Sequence, residues 1–468
     1  MSNSSTATAS EAMDSRLGQR GHWSSRMAFI LAATGSAVGL GNIWKFPYIT
    51  GENGGGAFVM VYLVCIAAVG IPIMMAEVLI GRRGGRSPIN SMRLINQRDG
   101  LSPAWRVVAA VGVLAAFLIL SFYSVIGGWA ISYVGTAASG DLAGQSADAI
   151  NGIFSDLLAD PGRLLLWHSV FMALVMVVVI RGVKSGLERA VSILMPALFV
   201  LLLILVGYAM TSGHFGQAVS FLFAPDFSKL TTAGVLVALG HAFFTLSLGM
   251  GVMMAYGSYL PKGVSIARTS IVVSIVDTVV ALLAGLAIFP IVFANGLEPG
   301  AGPGLIFQTL PVAFSQMPLG SLFGTLFFVL LIFAAWTSGI SLLEPLVEWL
   351  EEQKGLNRTV STLGAGLACW ALGIVSILSL NLWSDVTPLG SFAMFEGKTL
   401  FDLLDFLTAN ILLPLGGLLV AVYVGWFMSR QALRKELSLS DGQFRVWYGV
   451  LKYVTPLAVL AVFIYNLL

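Results

Sequence analysis

Residues 35–47 read Gly-Ser-Ala-Val-Gly-Leu-Gly-Asn-Ile-Trp-Lys-Phe-Pro and lie in an apolar run long enough to cross a bilayer. Three glycines followed by an amide, a lysine and a proline interrupt a helix. Carbonyls freed in hydrocarbon need another partner, and a cation suits them. The alternative, a close helix-packing motif at Gly35 and Gly39, does not explain Gly41 or Asn42.

The composition is that of a polytopic membrane protein. The 468 residues are 57% hydrophobic and 10% charged, and a net charge of +2 gives no indication of nucleic-acid binding. Cys65 and Cys369 lie in apolar runs, which indicates buried side chains rather than a disulfide or metal site. The first 20 residues are predicted to be a solvated tail and not a signal peptide.

Eleven apolar runs are long enough to span a bilayer, which needs about 20 residues. We therefore expect an all-α polytopic membrane protein with 11 transmembrane helices. The predicted spans are 27–49, 56–80, 107–136, 164–181, 190–211, 231–260, 267–294, 320–350, 360–380, 400–428 and 445–467. The proline-rich segment 295–319 is predicted to be an outer loop with short helices over the entrance.

Lysines and arginines concentrate on one side of these spans. With a cytoplasmic N-terminus, only Lys45, Arg163, Lys229 and Lys398 face outward. Since cytoplasmic segments carry the excess of positive charge, the N-terminus is predicted inside and the C-terminus outside.

The sixth run repeats the anomaly of the first, with Thr-Leu-Ser-Leu-Gly-Met-Gly at 245–251. Two interrupted runs five spans apart predict an inverted repeat of spans 1–5 and 6–10 with broken helices 1 and 6, a known transporter plan. The predicted divisions are a cytoplasmic tail at 1–25, a first repeat at 26–212, a second repeat at 213–430 that includes the outer loop, and an additional helix 11 at 431–468.

Four stretches resemble a known family: Gly35 to Asn42 as quoted, Glu52-Asn-Gly-Gly-Gly-Ala57, Phe243-Phe-Thr-Leu-Ser-Leu-Gly249 and Trp336-Thr-Ser338. These stretches resemble the neurotransmitter:sodium symporter family, in its bacterial amino-acid transporter branch. The resemblance extends through nearly the whole chain. The resemblance implies sodium-coupled amino-acid symport by alternating access in the bacterial inner (plasma) membrane.

The resemblance also implies two sodium sites. The first would use Ala37, Asn42, Thr245 and Asp277. The position of Asp277 supports this separately, because a lone carboxylate in a span is protonated or paired with a cation. A neutral Asp277 bonded to a neighbouring helix is the alternative. The second site would use the carbonyls of Gly35, Val38 and Ala334 with the hydroxyls of Thr337 and Ser338.

Chloride is not expected, because an acid at Asp277 supplies the negative charge that chloride provides in other members of the family. Outward return of a proton on this acid is a further hypothesis. For Thr337 and Ser338 taken alone, hydrogen bonds to their own helix carbonyls are the usual role.

The substrate is expected to carry a carboxylate, because free N–H groups after a helix break favour anions. Leu40 and Gly41 supply such groups, and the resemblance adds the Tyr123 hydroxyl. The predicted substrate-binding residues are Ala37, Gly39, Leu40, Gly41, Ile119, Tyr123, Phe244, Thr245, Ser247, Met250, Ser338 and Leu342. None is charged, so neutral, mainly apolar or aromatic L-amino acids are predicted.

Two gates follow from the resemblance. Lys45 and Asp405 correspond to the outer charged pair, in which an arginine is usual at the position of Lys45. Phe244 would cover the substrate together with Tyr123. The inner gate would consist of Arg20, Trp23, Tyr259 and Glu352. Without the resemblance, Arg20 and Glu352 are ordinary solvated charges.

Two further polar residues, Glu77 and His241, lie in predicted spans. Glu77 is either buried near the sodium sites or paired with Arg82 at the membrane boundary. His241 is predicted to be a hydrogen-bonded core histidine.

Other functions are less consistent with the sequence. A proton-coupled transporter of the same fold is the nearest alternative, whereas a channel requires a continuous polar stripe that these spans lack. No residues at catalytic spacing indicate an enzyme. The expected partners are the amino acid, sodium ions and the lipid bilayer, with no nucleic acid and no obligatory protein partner.

Overall fold

The computed structural model describes residues 23–299 and 304–467, which are helical with no β-strand. The prediction of an all-α chain is confirmed over these ranges. The helices are α1 (Arg26–Ala37), α2 (Gly41–Glu52), α3 (Gly56–Gly84), α4 (Pro88–Asp99), α5 (Pro103–Ser139), α6 (Ala147–Ala159), α7 (Pro161–Ile180), α8 (Val183–Met210), α9 (Phe215–Phe223), α10 (Thr232–Thr245), α11 (Val252–Ser258), α12 (Ile266–Ala294), α13 (Leu310–Gln316), α14 (Gly320–Lys354), α15 (Arg358–Ser379), α16 (Leu400–Phe427), α17 (Arg430–Leu437) and α18 (Asp441–Tyr465).

Nine helices in the described ranges are long and apolar enough to cross a membrane, or ten if the bent pair α1 and α2 counts as one span. Each predicted run except the first and sixth overlaps one of the nine. The sixth run, 231–260, forms two shorter helices, α10 and α11, and neither spans a bilayer alone.

The first interruption in the structure lies within the glycine-rich stretch. Helix α1 ends at Ala37, and Val38 takes an extended conformation while its N–H donates to the Thr34 carbonyl. The chain resumes as a π-helical turn from Gly41 to Lys45, and α2 is bent by 50° from α1. The break therefore leaves backbone groups of residues 38–40 outside regular helical pairing.

The second interruption separates α10 from α11 at residues 246–251. Three of these residues have left-handed backbone angles, with φ of 53° at Ser247, 75° at Gly249 and 71° at Gly251. A Cβ on Gly249 would lie 2.6 Å from the Leu413 carbonyl oxygen, so only glycine fits there. The backbone conformation and the neighbouring helix together stop α10.

Close helix contacts bring both interruptions to the centre of the molecule. Helix α14 packs along α5, while α1 lies against α12 and α14. A Cβ on Gly81 would lie 1.9 Å from the Met254 carbonyl, and one on Gly112 would lie 2.8 Å from the Gly251 nitrogen. Small residues thus let α3 pack closely against α11 and let α5 contact the second break.

The predicted outer loop contains α13 and a preceding helical turn, Leu305–Thr309. The Tyr133 hydroxyl donates to the Phe307 carbonyl at 2.8 Å. The Phe307 ring also contacts that of Trp44, with centroids 6.4 Å apart. These contacts attach the loop to α5 and to the end of the first break.

Candidate functional site

A narrow cavity of about 20 Å³ lies between the two breaks. It is lined by Ser36, Ala37, Gly39, Leu40, Gly41, Ile119, Tyr123, Phe244, Ser247, Met250, Ser338 and Leu342. Every residue predicted to bind substrate is on this lining except Thr245, and Ser36 is an addition. Among the described residues, no charged side chain lines the cavity.

One wall presents donors suited to an anion. The Leu40 N–H donates to the Tyr123 hydroxyl at 3.2 Å, so both groups predicted to bind a carboxylate are adjacent. A Cβ on Gly39 would lie 2.4 Å from the Ser338 Oγ and 3.0 Å from the Tyr123 hydroxyl oxygen. Glycine at position 39 therefore allows α5 and α14 to approach the break. The same stretch thus both packs closely against neighbouring helices and interrupts its own helix.

Ser36 joins the first break to the second and to α14. Its carbonyl accepts from the Ser247 hydroxyl at 2.9 Å and from the Ser338 hydroxyl at 3.3 Å. Ser36 was not among the residues predicted from the sequence. Its position in the glycine-rich stretch, next to Gly35, could have indicated it. Its contacts show that hydroxyls satisfy part of the freed backbone.

At the predicted first sodium site, Asn42 and Thr245 each form a hydrogen bond with Asp277. Asp277 is fully buried. The Asn42 amide nitrogen donates to Oδ1 of Asp277 at 2.8 Å, and the Thr245 hydroxyl donates to Oδ2 at 3.0 Å. Carboxylate, amide and hydroxyl oxygens are the hard ligands that small cations prefer. Their assignment as sodium ligands stays a prediction.

The residues predicted for the second site meet where α1 ends against α14. The Ser338 hydroxyl donates to the Val38 carbonyl at 3.4 Å, and Thr337 donates to the Ala334 carbonyl at 3.1 Å. A Cβ on Gly35 would lie 3.4 Å from the Thr337 Cβ. This group offers oxygens without a formal charge, which suits a monovalent ion that must later dissociate.

The ligand types at the two predicted ion sites suit a monovalent cation. Within residues 23–299 and 304–467, no group of three or more His, Cys, Asp or Glu side chains is placed to hold a metal ion. One carboxylate at the first site and none at the second match a monovalent cation better than a divalent one.

Glu77 is fully buried and holds the second break. Its Oε1 accepts from the Gly249 N–H at 2.7 Å, and its Oε2 has no hydrogen-bond partner among the described residues. Arg82 instead pairs with Glu436 at 2.5 Å. Of the two interpretations of Glu77, the structure supports burial and not pairing with Arg82.

His241 is a buried core histidine as predicted, but the predicted hydrogen bond is absent among the described residues. Both ring nitrogens of His241 are buried without a hydrogen-bond partner in the described part of the chain. The ring is held by aromatic contacts, with centroids 5.9 Å from Phe46 and 5.5 Å from Tyr62.

The predicted outer pair is not an ion pair in this structure. No ion pair within 4.0 Å joins Lys45 to Asp405 in the described ranges. The Lys45 Nζ lies 4.9 Å from the centre of the Phe244 ring, which is a cation–π distance. The gate role of both residues stays a prediction, and the observed contact is between Lys45 and the predicted lid.

At the opposite end, Trp23 is tied to the second half of the broken helix. The Trp23 N–H donates to the Tyr259 carbonyl at 3.3 Å, and its indole N–H donates to the Tyr256 carbonyl at 3.1 Å. Glu352 accepts from the Ser87 N–H at 3.0 Å and from the Asn90 amide at 2.6 Å. Arg20, the fourth predicted member, lies outside the described residues.

An additional ionic contact at this end was missed. Arg358 pairs with buried Glu344 and, at 3.1 Å, with Glu351, while the Tyr259 hydroxyl donates to Glu344 at 3.0 Å. The usable signal was an acid at 344 inside the predicted span 320–350. The contact links α11 to α14 and α15.

Comparison with known proteins agrees with this architecture. Residues 20–152 and 149–468 match the sequence model of the Sodium:neurotransmitter symporter family. An uncharacterized sodium-dependent transporter of Bacillus subtilis, YhdH, is 40% identical over 446 residues, which cover 94% of this chain and 96% of that protein. One from Haemophilus influenzae is 36% identical over 458 residues, covering 96% and 98%.

A solved structure is also similar. The crystal structure of MhsT in complex with L-phenylalanine superimposes with a TM-score of 0.87 at 41% identity, covering 96% of this chain and 100% of MhsT. Because the match to the family model runs from residue 20 to residue 468 and the relatives align over nearly their full length, this chain belongs to the sodium:neurotransmitter symporter family of membrane transporters.

Proposed function

We propose that this chain is a sodium-coupled symporter that imports neutral, mainly apolar or aromatic L-amino acids. The observation that carries the proposal is the cavity between the two breaks, with Tyr123 and the Leu40 N–H on one wall and no charged side chain on its lining. The sodium-dependent relatives support the coupling ion, and the phenylalanine complex of MhsT supports the class of substrate.

The substrate carboxylate would bind the N–H groups of Leu40 and Gly41 and the Tyr123 hydroxyl. Helix-terminal N–H groups favour anions, and a buried charge requires such partners. The ammonium group would bind carbonyls of Ala37 and of the second break. The side chain would then face Ile119 and Met250, where a charged group would have no partner.

Two sodium ions are proposed to travel with each amino acid. An ion among Asn42, Thr245 and Asp277 would balance the buried carboxylate and lie beside the substrate carboxylate. An ion between the end of α1 and the Thr337 and Ser338 hydroxyls would connect the broken helix to α14. Without ions, the polar groups at the breaks are satisfied only by hydrogen bonds within the protein. Each bound ion would therefore stabilise the arrangement of the breaks.

Alternating access in this proposal is a movement of the broken helices and their neighbours against α5 and α14. The full topology would have 11 spans, an inverted repeat divided at residues 26–212 and 213–430, and the N-terminus in the bacterial cytoplasm. Contacts at both ends support movement of the two broken helices as one group. Trp23 and Tyr259 join the broken helices at one end, and Lys45 covers Phe244 at the other.

Uptake by the purified protein in liposomes tests the proposal. An inward sodium gradient is expected to drive accumulation of labelled L-phenylalanine, with competition by Leu, Trp and Tyr but not by Lys or Glu. Replacing sodium with choline should abolish uptake. Potent competition by Glu would contradict the uncharged cavity.

A proton-coupled transporter is the second candidate, because Asp277 and Glu77 are both buried carboxyl groups beside the breaks. The same liposomes distinguish it. Undiminished uptake in choline, driven by a proton gradient, would reject sodium coupling and favour this candidate.

A further inference from the structure

A second, larger cavity of about 400 Å³ opens between α4, the start of α5 and the end of α14. It lies far along the chain from the breaks, at the end of the spans predicted to face the cytoplasm. Its lining combines Arg93 and Arg106 with Ile89, Val107, Ala110 and Trp349. The proposed transport cycle uses none of these six side chains.

The charge at this cavity is positive, and no described residue neutralises it. Arg93 lies on α4 and Arg106 at the start of α5, and both are exposed. Neither forms an ion pair within residues 23–299 and 304–467, and no acidic side chain lines the cavity. The nearby acid Asp99 is paired with Arg83 at 2.7 Å.

An apolar surface continues from this charged mouth along α5. Val107 is 50% exposed, and Leu114, seven residues further along, is 49% exposed. Residues seven apart lie on the same face of a helix. Partly buried Trp349 borders the cavity, as is typical of aromatic residues at a membrane interface.

We propose that this cavity binds the headgroup of an anionic phospholipid. Arg93 and Arg106 would bind the phosphate from two sides, because guanidinium groups form charge-assisted paired hydrogen bonds with phosphate. One acyl chain would lie along Val107 and Leu114. A soluble anion would use the arginines but not this apolar face, so the combination selects a lipid.

The proposal also gives α4 a membrane contact close to the predicted inner gate. Asn90 lines this cavity and donates to Glu352 on α14. A bound headgroup would hold α4 against the start of α5. Because α4 also carries Asn90, the lipid would act on the helix that contacts Glu352. The lipid site does not depend on the identity of the transported substrate.

Native mass spectrometry of the detergent-solubilised full chain tests the site. The wild type, titrated with phosphatidylglycerol or phosphatidylcholine, is expected to retain one phosphatidylglycerol with about tenfold preference. The R93Q/R106Q double variant should lose this preference. A matched control, R268Q, removes an exposed arginine at the start of α12 and should keep it.

A second variant, A110W, fills the cavity without removing charge and should also lose the retained lipid. Equal retention by R93Q/R106Q and wild type, or no preference for phosphatidylglycerol in the wild type, would overturn the proposal. Glycerol 3-phosphate serves as the soluble competitor. If it binds with the same arginine dependence and phosphatidylglycerol has no advantage over it, the site binds soluble phosphate and the lipid assignment is wrong.

Discussion

Tyr123 and Asp277 carry different parts of the proposed chemistry. Tyr123 lies on the cavity and shares a hydrogen bond with the Leu40 N–H. Asp277 is not on the cavity lining, but it accepts from Asn42 and Thr245, one residue from each interrupted run. The first residue is therefore suited to bind the amino acid, and the second to balance an ion beside it.

Tyr123→Phe is expected to weaken amino-acid binding by about 10- to 100-fold, since a hydrogen bond to a charged group contributes about 1.5–3 kcal/mol. Binding of labelled L-phenylalanine in saturating sodium measures the effect. Tyr133→Phe is the matched control on the same helix, because its hydroxyl contacts the Phe307 carbonyl instead of the cavity. Unchanged affinity in Tyr123→Phe would remove this residue from the site.

Asp277→Ser is expected to make uptake depend on chloride, because the fixed negative charge beside the first ion is then lost. In gluconate buffer, uptake should fall by about tenfold or more, the effect of losing a charged hydrogen-bond partner. Chloride should restore part of it. Equal uptake by the variant in both buffers would show that Asp277 does not supply the balancing charge.

At the scale of elements, the second break depends on contacts from three neighbouring helices. The Glu77 carboxylate on α3 accepts the Gly249 N–H, and the Leu413 carbonyl on α16 occupies the space where a Cβ would be. On α5, Gly112 lies against Gly251. The interruption is therefore a fixed element of the fold and not a frayed helix end.

Gly249→Ala is expected to destabilise the protein by about 1–2 kcal/mol from the left-handed backbone alone, with a further cost from the contact with Leu413. Thermal unfolding in detergent measures this. Gly240→Ala is the control, because its Cβ would meet nothing within 4 Å in the middle of α10. That change should be neutral or slightly stabilising. Similar melting temperatures for both variants would contradict a rigid break.

At the scale of the whole molecule, the breaks connect two groups of helices. Ser36 and Ser338 join α1 to α14, and Trp23 joins the start of α1 to α11. Ligands that bind between these groups would stabilise the assembled protein. Sodium and substrate are therefore expected to stabilise it jointly.

L-phenylalanine at about 100 times its dissociation constant should raise stability by about 2.7 kcal/mol in sodium buffer. In choline buffer, the same concentration should produce little shift in melting temperature, because the first ion neutralises the site beside the carboxylate. L-glutamate is the control ligand and should be inert in both buffers. If phenylalanine raised the melting temperature equally in choline and in sodium buffer, substrate binding would not depend on sodium.

The amino-acid sequence by itself determined the helical class, the positions of the apolar runs and both interrupted stretches. Those properties are local, since they follow from the hydropathy of each run and from the backbone preferences of glycine and proline. The family motifs extended this to nearly the whole cavity lining. Only the tertiary structure decided that Glu77 holds Gly249, that Ser36 joins three elements, and that Lys45 lies over Phe244. These pairings join residues far apart in the chain, and the partner of a buried polar group depends on which helices pack beside it.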